Sequence, residues 1–132
     1  MKDIENRAAI TVLVHTFYAE VRKNDLLGPI FNEHIATDQW PAHLEKLTDF
    51  WETALLGNVC FKGNPSEAHL KVDAHMKHSI AQEHFDAWLS LWAATIDALY
   101  VGAVAERAKE GSRRMAIGQF QHISKNRPTC MR

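Results

Sequence analysis

The sequence predicts an all-helical protein. Apolar residues recur at helical spacing in each well-patterned stretch, turn residues cluster between those stretches, and no period-two strand pattern persists. With 132 residues, 46% of them hydrophobic, the chain is long enough for one domain, residues 1–132, with its own core. No repeat or low-complexity tract divides it.

Ile10, Val14, Phe17 and Val21 share one face, which predicts a first helix over 4–23 that Asn24-Asp25 and Gly28-Pro29 end. A short turn through Ile30-Phe31 follows. Trp40, His43, Leu44, Leu47, Trp51 and Leu55 predict a second helix, with Asp38 as its N-cap, Pro41 in its first turn and Gly57-Asn58 as its close. Lys62 to Pro65 reads as a turn, and Ser66 to Ala74 as a short helix with weak periodicity. Phe85, Trp88, Leu89, Trp92, Ile96 and Leu99 form a wide apolar stripe and predict a buried helix over 81–100. Val101-Gly102 permits a reversal into a last helix ending near Lys125. Its Gly111 and Gly118 each cost about 1 kcal/mol relative to Ala, so close contact with a neighbour is the expected reason for them. Residues 126–132 read as a disordered tail.

Fifteen Lys and Arg against sixteen Asp and Glu leave a formal charge of −1, and both signs are scattered, so the footprint of a nucleic-acid binder is missing. The N-terminus has no secretory pattern and no apolar run approaches a membrane span, which predicts a cytoplasmic protein. Cys60 and Cys130 stand far apart without a CxxC or CxxCH motif, and are expected to be reduced structural thiols. Eight histidines are the compositional oddity and direct the search for ligands.

His75 stands thirteen residues ahead of Trp88, pairing a neutral imidazole, the commonest haem ligand, with an indole on the apolar stripe. An exposed loop histidine is the plain alternative, and His69, His78 and His84 are rivals, with His69 the strongest. His43 shares a face with Trp40 and Leu47, so it is expected to be buried, either satisfied within the core or facing a ligand. Lys46 stands at the edge of that stripe, where it is either a solvated lysine or a partner for an anionic group such as a haem propionate. Tyr18 and Trp88 carry donors that need partners when buried, and Trp cannot accept. Two such donors converging on one point favour a ligand that gains negative charge, as dioxygen does at reduced iron and carbon monoxide does much less. No Walker loop, GxSxG elbow, HExxH helix or dinucleotide fingerprint is present. A metal site from His69, His75 and His78 lacks a carboxylate or thiolate spaced to complete it.

FYAEVRKNDLLGPIF (Phe17 to Phe31), WPAHLEKLTDFW (Trp40 to Trp51), LLGNVCFKGNP (Leu55 to Pro65) and HFDAWLSLW (His84 to Trp92), in this order and spacing, resemble the group III truncated haemoglobins. The similarity runs from about Leu13 to Phe120. The resemblance implies a two-over-two helical sandwich around haem b. It implies His75 as the iron ligand, Tyr18, His43 and Trp88 as the distal polar set, Phe31 wedged against the haem, and Leu47 and Phe50 as apolar wall. Lys46 and His78 complete the expected cofactor-binding set. The segment 69–78 varies in length across this family, which leaves His69 as the alternative ligand.

The function expected from the resemblance is binding of dioxygen, nitric oxide or carbon monoxide for redox chemistry on the gas or on reactive oxygen species. Nitric oxide dioxygenation is one such activity, and a separate reductase would supply its electrons. Two alternatives are a peroxidase-like haem enzyme and a cofactor-free helical module that binds a partner protein.

Overall fold

The computed structural model describes residues 1–61, 63 and 65–128, with Ser66 described in its backbone alone. Lys62 and Asn64 of the expected turn, Cys130, and positions 129–132 of the expected tail lie outside the described residues. Six α-helices follow one another: α1 (Arg7–Lys23), α2 (Gly28–His34), α3 (Trp40–Leu56), α4 (Pro65–His75), α5 (Gln82–Leu99) and α6 (Ala103–Lys125). No strand occurs among the described residues.

α1 begins later than its apolar pattern because the Asn6 side chain accepts the Ala9 N–H at 3.0 Å and caps the first turn. Ile4 is still buried, in the extended segment before that cap. The first departure from expectation is α2. Pro29 lies in its first turn, where a missing N–H and a fixed φ suit a helix, so Gly28-Pro29 starts an element as well as ending one. Gly28 itself packs so closely on α1 that a Cβ there would lie 2.7 Å from the Arg22 carbonyl oxygen. Asp38, expected as the cap of α3, instead lies in a 3₁₀ turn over Thr37–Gln39, and Gln39 precedes the helix without a side-chain capping bond. α3 ends as expected at Gly57, whose φ of +75° favours glycine.

α1 packs on α3 and α5 packs on α6, while α1 crosses α5 and α3 meets α6, which makes a two-over-two sandwich. Aromatic rings join the layers. Phe17 on α1 meets Trp92 edge-on at 4.9 Å and Trp88 at 5.0 Å, and Trp92 stacks on Trp51 of α3 at 4.7 Å. Such pairs add about 0.5–1.5 kcal/mol each beyond the area they bury. The fully buried Trp92 spends its only donor on the Ala108 carbonyl of α6 at 3.4 Å. Gly111 and Gly118 do not serve the contact expected of them: a Cβ at either would meet nothing within 4 Å.

Two carboxylates tie distant parts of the chain together. Asp3 accepts the N–H groups of Val104 and Ala105 at 2.9 Å each, satisfying the open first turn of α6 from the other end of the sequence. Gly102 makes room for it, with φ of +142° and no Cβ to strike the carboxylate. Asp73, near the end of α4 and 2% exposed, accepts both Nε and Nη2 of Arg127, at 3.0 and 2.8 Å, and the Ile80 N–H at 3.2 Å. Arg127 also donates to the Ile80 carbonyl. Residues 126–128 are therefore not the disordered tail that their composition implied, because this ion pair fastens them to α4. No helix of the described residues is long and apolar enough to cross a membrane.

Replacing Asp3 by Ala is expected to cost about 1 kcal/mol of folding stability. Burial pushes the Asp3 carboxyl up, but the N–H groups of Val104, Ala105 and Ile4 and the nearby Arg107 outweigh it and hold its pKa below the ordinary value. Its contribution is thus present above a pH of about 4, the unfolded value, and is lost as pH falls through the lower folded value. Urea unfolding of both proteins across acid pH checks the direction. Replacing Arg127 by Ala leaves Asp73 buried without its main partner and is expected to cost about 3 kcal/mol, read from the same unfolding curves.

Candidate functional site

A cavity of about 300 Å³ lies between the layers, walled by side chains from all six helices and by Phe61 and Ile80. The wall is mostly apolar. Leu27, Ile30 and Phe31 come from the α1–α2 corner, Leu47, Phe50 and Trp51 from α3, Phe85 and Trp88 from α5, and Met115 from α6. Its polar members are few: Tyr18, His34, His43, Lys46, His69, His84, Ser112 and Gln119. An apolar slot with a few polar tips has the make-up of a site for a large, mostly hydrophobic ligand.

The crossing of α1 and α5 delivers the first polar group. Phe17 and Tyr18 are neighbours on α1, and Phe17 holds the Tyr18 ring edge-on at 4.8 Å and the Trp88 ring at 5.0 Å. Complete burial raises the phenol pKa, and the hydrogen-bonding influence of the Trp88 indole opposes that rise only in part. The phenol therefore keeps its proton and remains a donor. His43 joins this group from α3, 6.3 Å from the Tyr18 ring and 5.5 Å from the Trp40 ring. Burial, helped by the charge of Lys46 and by His34, depresses its pKa and favours the neutral imidazole. Phe31 packs on Tyr18 at 5.8 Å. Of the expected site residues, Tyr18, Phe31, His43, Lys46, Leu47, Phe50 and Trp88 all reach the cavity wall.

α4 supplies the rest, and here the placement of the histidines differs from the expectation. Pro65, Ala68, His69 and Val72 line the cavity at the i, i+3, i+4, i+7 spacing of one helical face. His69 is on that face and His75 is not. Six residues make one and two-thirds turns of helix, so His75 is rotated about 120° from His69 and lies about 9 Å along the axis. His75 is exposed, does not line the cavity, and meets His34 edge-on at 5.4 Å. His78 lies beyond the helix in a left-handed conformation, with φ of +59°, and its Nδ1 is 3.2 Å from the Asp73 carboxylate rather than in the cavity.

The Nδ1 of His69 is buried without a hydrogen-bond partner. Burial lowers the His69 pKa, with an opposing push from the polar Gln119 side chain, so the imidazole is held neutral. A neutral, buried imidazole with an unoccupied ring nitrogen is the state in which histidine binds a metal, so these residues fit an iron porphyrin. No group of three His, Cys, Asp or Glu suited to a bare metal ion occurs among the described residues.

His34, Phe61 and Gln119 line the cavity and were not singled out from the sequence. His34 lies on α2, where a turn was expected, and Phe61 lies in the loop after α3. His84, named only as a rival ligand, also reaches the cavity, and its Nδ1 accepts the Ala81 N–H at 2.8 Å to cap α5. Cys60 is a free thiol as expected, but it is exposed rather than part of the core.

Residues 2–122 match the bacterial-like globin family. The chain is 36% identical over 97 residues to the group 3 truncated hemoglobin ctb of Campylobacter jejuni, covering 72% of each chain. It superposes on the crystal structure of the group III truncated hemoglobin from Campylobacter jejuni with a TM-score of 0.84 and 30% identity, over 97% of this chain and 99% of that one.

Proposed function

The chain belongs to the bacterial-like globins as a group III truncated haemoglobin, and from that premise we propose that His69 ligates the iron of haem b while Tyr18 and Trp88 donate hydrogen bonds to a diatomic ligand. Membership of the family makes it a haem-binding globin and implies diatomic ligands. The residue assignment, the choice of ligand and the redox role are our reading.

The observation that carries it is the single neutral imidazole that α4 turns into the cavity. Haem, when bound, would supply an iron at which a diatomic gas can attach. Around it the chain's own groups divide the work. Phe31, Leu47 and Phe50 exclude water from the cavity wall, which strengthens every polar contact inside it. Tyr18 keeps its phenolic proton because burial raises its pKa, and the indole of Trp88 can only donate. Both therefore favour a ligand that gains negative charge. His43, held neutral, lines the cavity beside Tyr18 and acts as a gate.

Two donors slow the release of dioxygen. Slow release suits redox chemistry on the gas, such as nitric oxide or reactive oxygen detoxification, better than transport. Electrons would come from a separate reductase. Peroxidase-like cleavage is less well supported, since it calls for an anionic partner on the iron-bound imidazole. The buried carboxylate of the same helix, Asp73, spends its bonds on Arg127, His78 and the Ile80 N–H.

His69→Ala is expected to lose stoichiometric retention of haem, while His75→Ala keeps it with an unchanged absorption spectrum. The reverse pattern would restore His75 as the ligand. Trp88→Phe keeps the ring and removes the donor. If the indole stabilises bound dioxygen by about 1.4 kcal/mol or more, its dissociation accelerates at least tenfold by stopped-flow, and an unchanged rate would remove the indole from the mechanism.

A further inference from the structure

α4 carries the proposed iron ligand, yet apolar burial does little to seat that helix. Among its described side chains Asp73 alone is buried, and Asp73 is a carboxylate. We propose that Arg127, reaching back from the C-terminal segment, is a positioning residue for His69: its clasp on Asp73 and Ile80 holds α4 where the imidazole points at the haem iron. The inference rests on the reading of His69 as the ligand and adds what keeps that ligand in place.

The clasp lies one helical turn from the imidazole. His69 and Asp73 are four residues apart on α4, so they stand on neighbouring turns of one side of the helix. Arg127 grips Asp73 with two edges of its fork, Nε donating to one carboxylate oxygen at 3.0 Å and Nη2 to the other at 2.8 Å. Such a pair fixes direction as well as distance. Nη2 also donates to the Ile80 carbonyl, while the Ile80 N–H donates to Asp73 at 3.2 Å. Ile80 is therefore held by both of its backbone groups, and its side chain lines the cavity. Ile123, four residues before Arg127, lines the cavity as well. Burial pushes the Asp73 carboxyl up, but Arg127, His78 and the Ile80 N–H outweigh it and hold its pKa below the ordinary value. The clasp is thus an ion pair in the folded chain.

The turn that joins α4 to Ile80 does not hold its shape unaided. Lys77 and His78 take φ of +58° and +59°, a region that costs a residue with a Cβ and persists where its surroundings impose it. Asp73 imposes it from one end. Its carbonyl accepts the His78 N–H at 2.6 Å, and its carboxylate lies 3.2 Å from the His78 Nδ1. Arg127 imposes it from the other end, through Ile80. Without the guanidinium the turn is free to relax, and a helix of eleven residues with so little buried apolar surface loses its seat.

The haem-loaded, reduced protein gives the first test. Arg127→Ala is expected to shift and broaden the iron–histidine stretching band in resonance Raman spectra and to speed haem transfer to a scavenging apoglobin by about tenfold, the scale of one charge-assisted hydrogen bond. Arg127→Lys keeps the charge without the planar fork and is expected to show both changes to a lesser degree, with transfer about threefold faster. Where Arg127→Ala does not fold, Arg127→Lys decides alone. Asp3→Ala, which weakens the fold far from α4, is expected to leave the band in place. If neither Arg127 variant alters the band, or if Asp3→Ala alters it equally, the assignment falls. The cofactor-free protein gives the second test: hydrogen exchange of the α4 amides rises by about tenfold in Arg127→Ala and not in Asp3→Ala, and equal rates in all three proteins would remove the clasp. A wild-type chain that takes up no haem would instead overturn the reading on which the inference rests.

Discussion

A hole in the middle of a small protein is the constraint from which the rest of this structure follows. A cavity of about 300 Å³ between the layers forgoes the packing contacts that a filled core would make. The chain offsets that loss beside the cavity rather than in it. Phe17, Trp51, Trp88 and Trp92 form one continuous cluster of edge-on and stacked rings that crosses α1, α3 and α5. This cluster is the true core, and it also determines where Tyr18 and Trp88 stand. A cofactor that fills the hole restores the missing contacts, so binding and folding are coupled.

The second consequence concerns α4, the wall with the least apolar face. A helix of eleven residues is too short to hold itself in water, and it packs chiefly on α6 and also on α2. The Asp73–Arg127 pair and the Ile80 N–H fasten its C-terminal end. Polar anchoring at one end leaves the inward face of α4 free to carry a histidine where a core helix would carry leucine. The same anchoring also occupies the buried carboxylate of α4, Asp73, which binds Arg127 and not His69.

Much of the fold was legible because four helices have apolar stripes wide enough to show their period. α1, α3, α5 and α6 appear in the sequence with ends displaced by at most three residues, and the displacement at Arg7 has a cause in the Asn6 cap. α2 was not legible because Gly-Pro marks both the end of one helix and the start of the next, and only tertiary packing decides. Three of the polar residues that reach the cavity, Tyr18, His43 and Trp88, were legible because they stand on strong stripes. The α4 histidines were not. A helix that faces a cofactor needs no apolar stripe, so nothing in the spacing told which of His69, His75 and His78 points inward. The structure separates them by rotation: His69 falls with Ala68 and Val72 on one face, and His75 falls a third of a turn away.

The central claim is that this cavity is kept for a porphyrin. Titration of the purified, cofactor-free protein with hemin, followed by absorption before and after reduction, tests it most directly. The account predicts saturation at one equivalent, with an intense Soret band that shifts on reduction and again when carbon monoxide is added. A chain that stays folded by circular dichroism yet leaves hemin with the spectrum it has in buffer would contradict it.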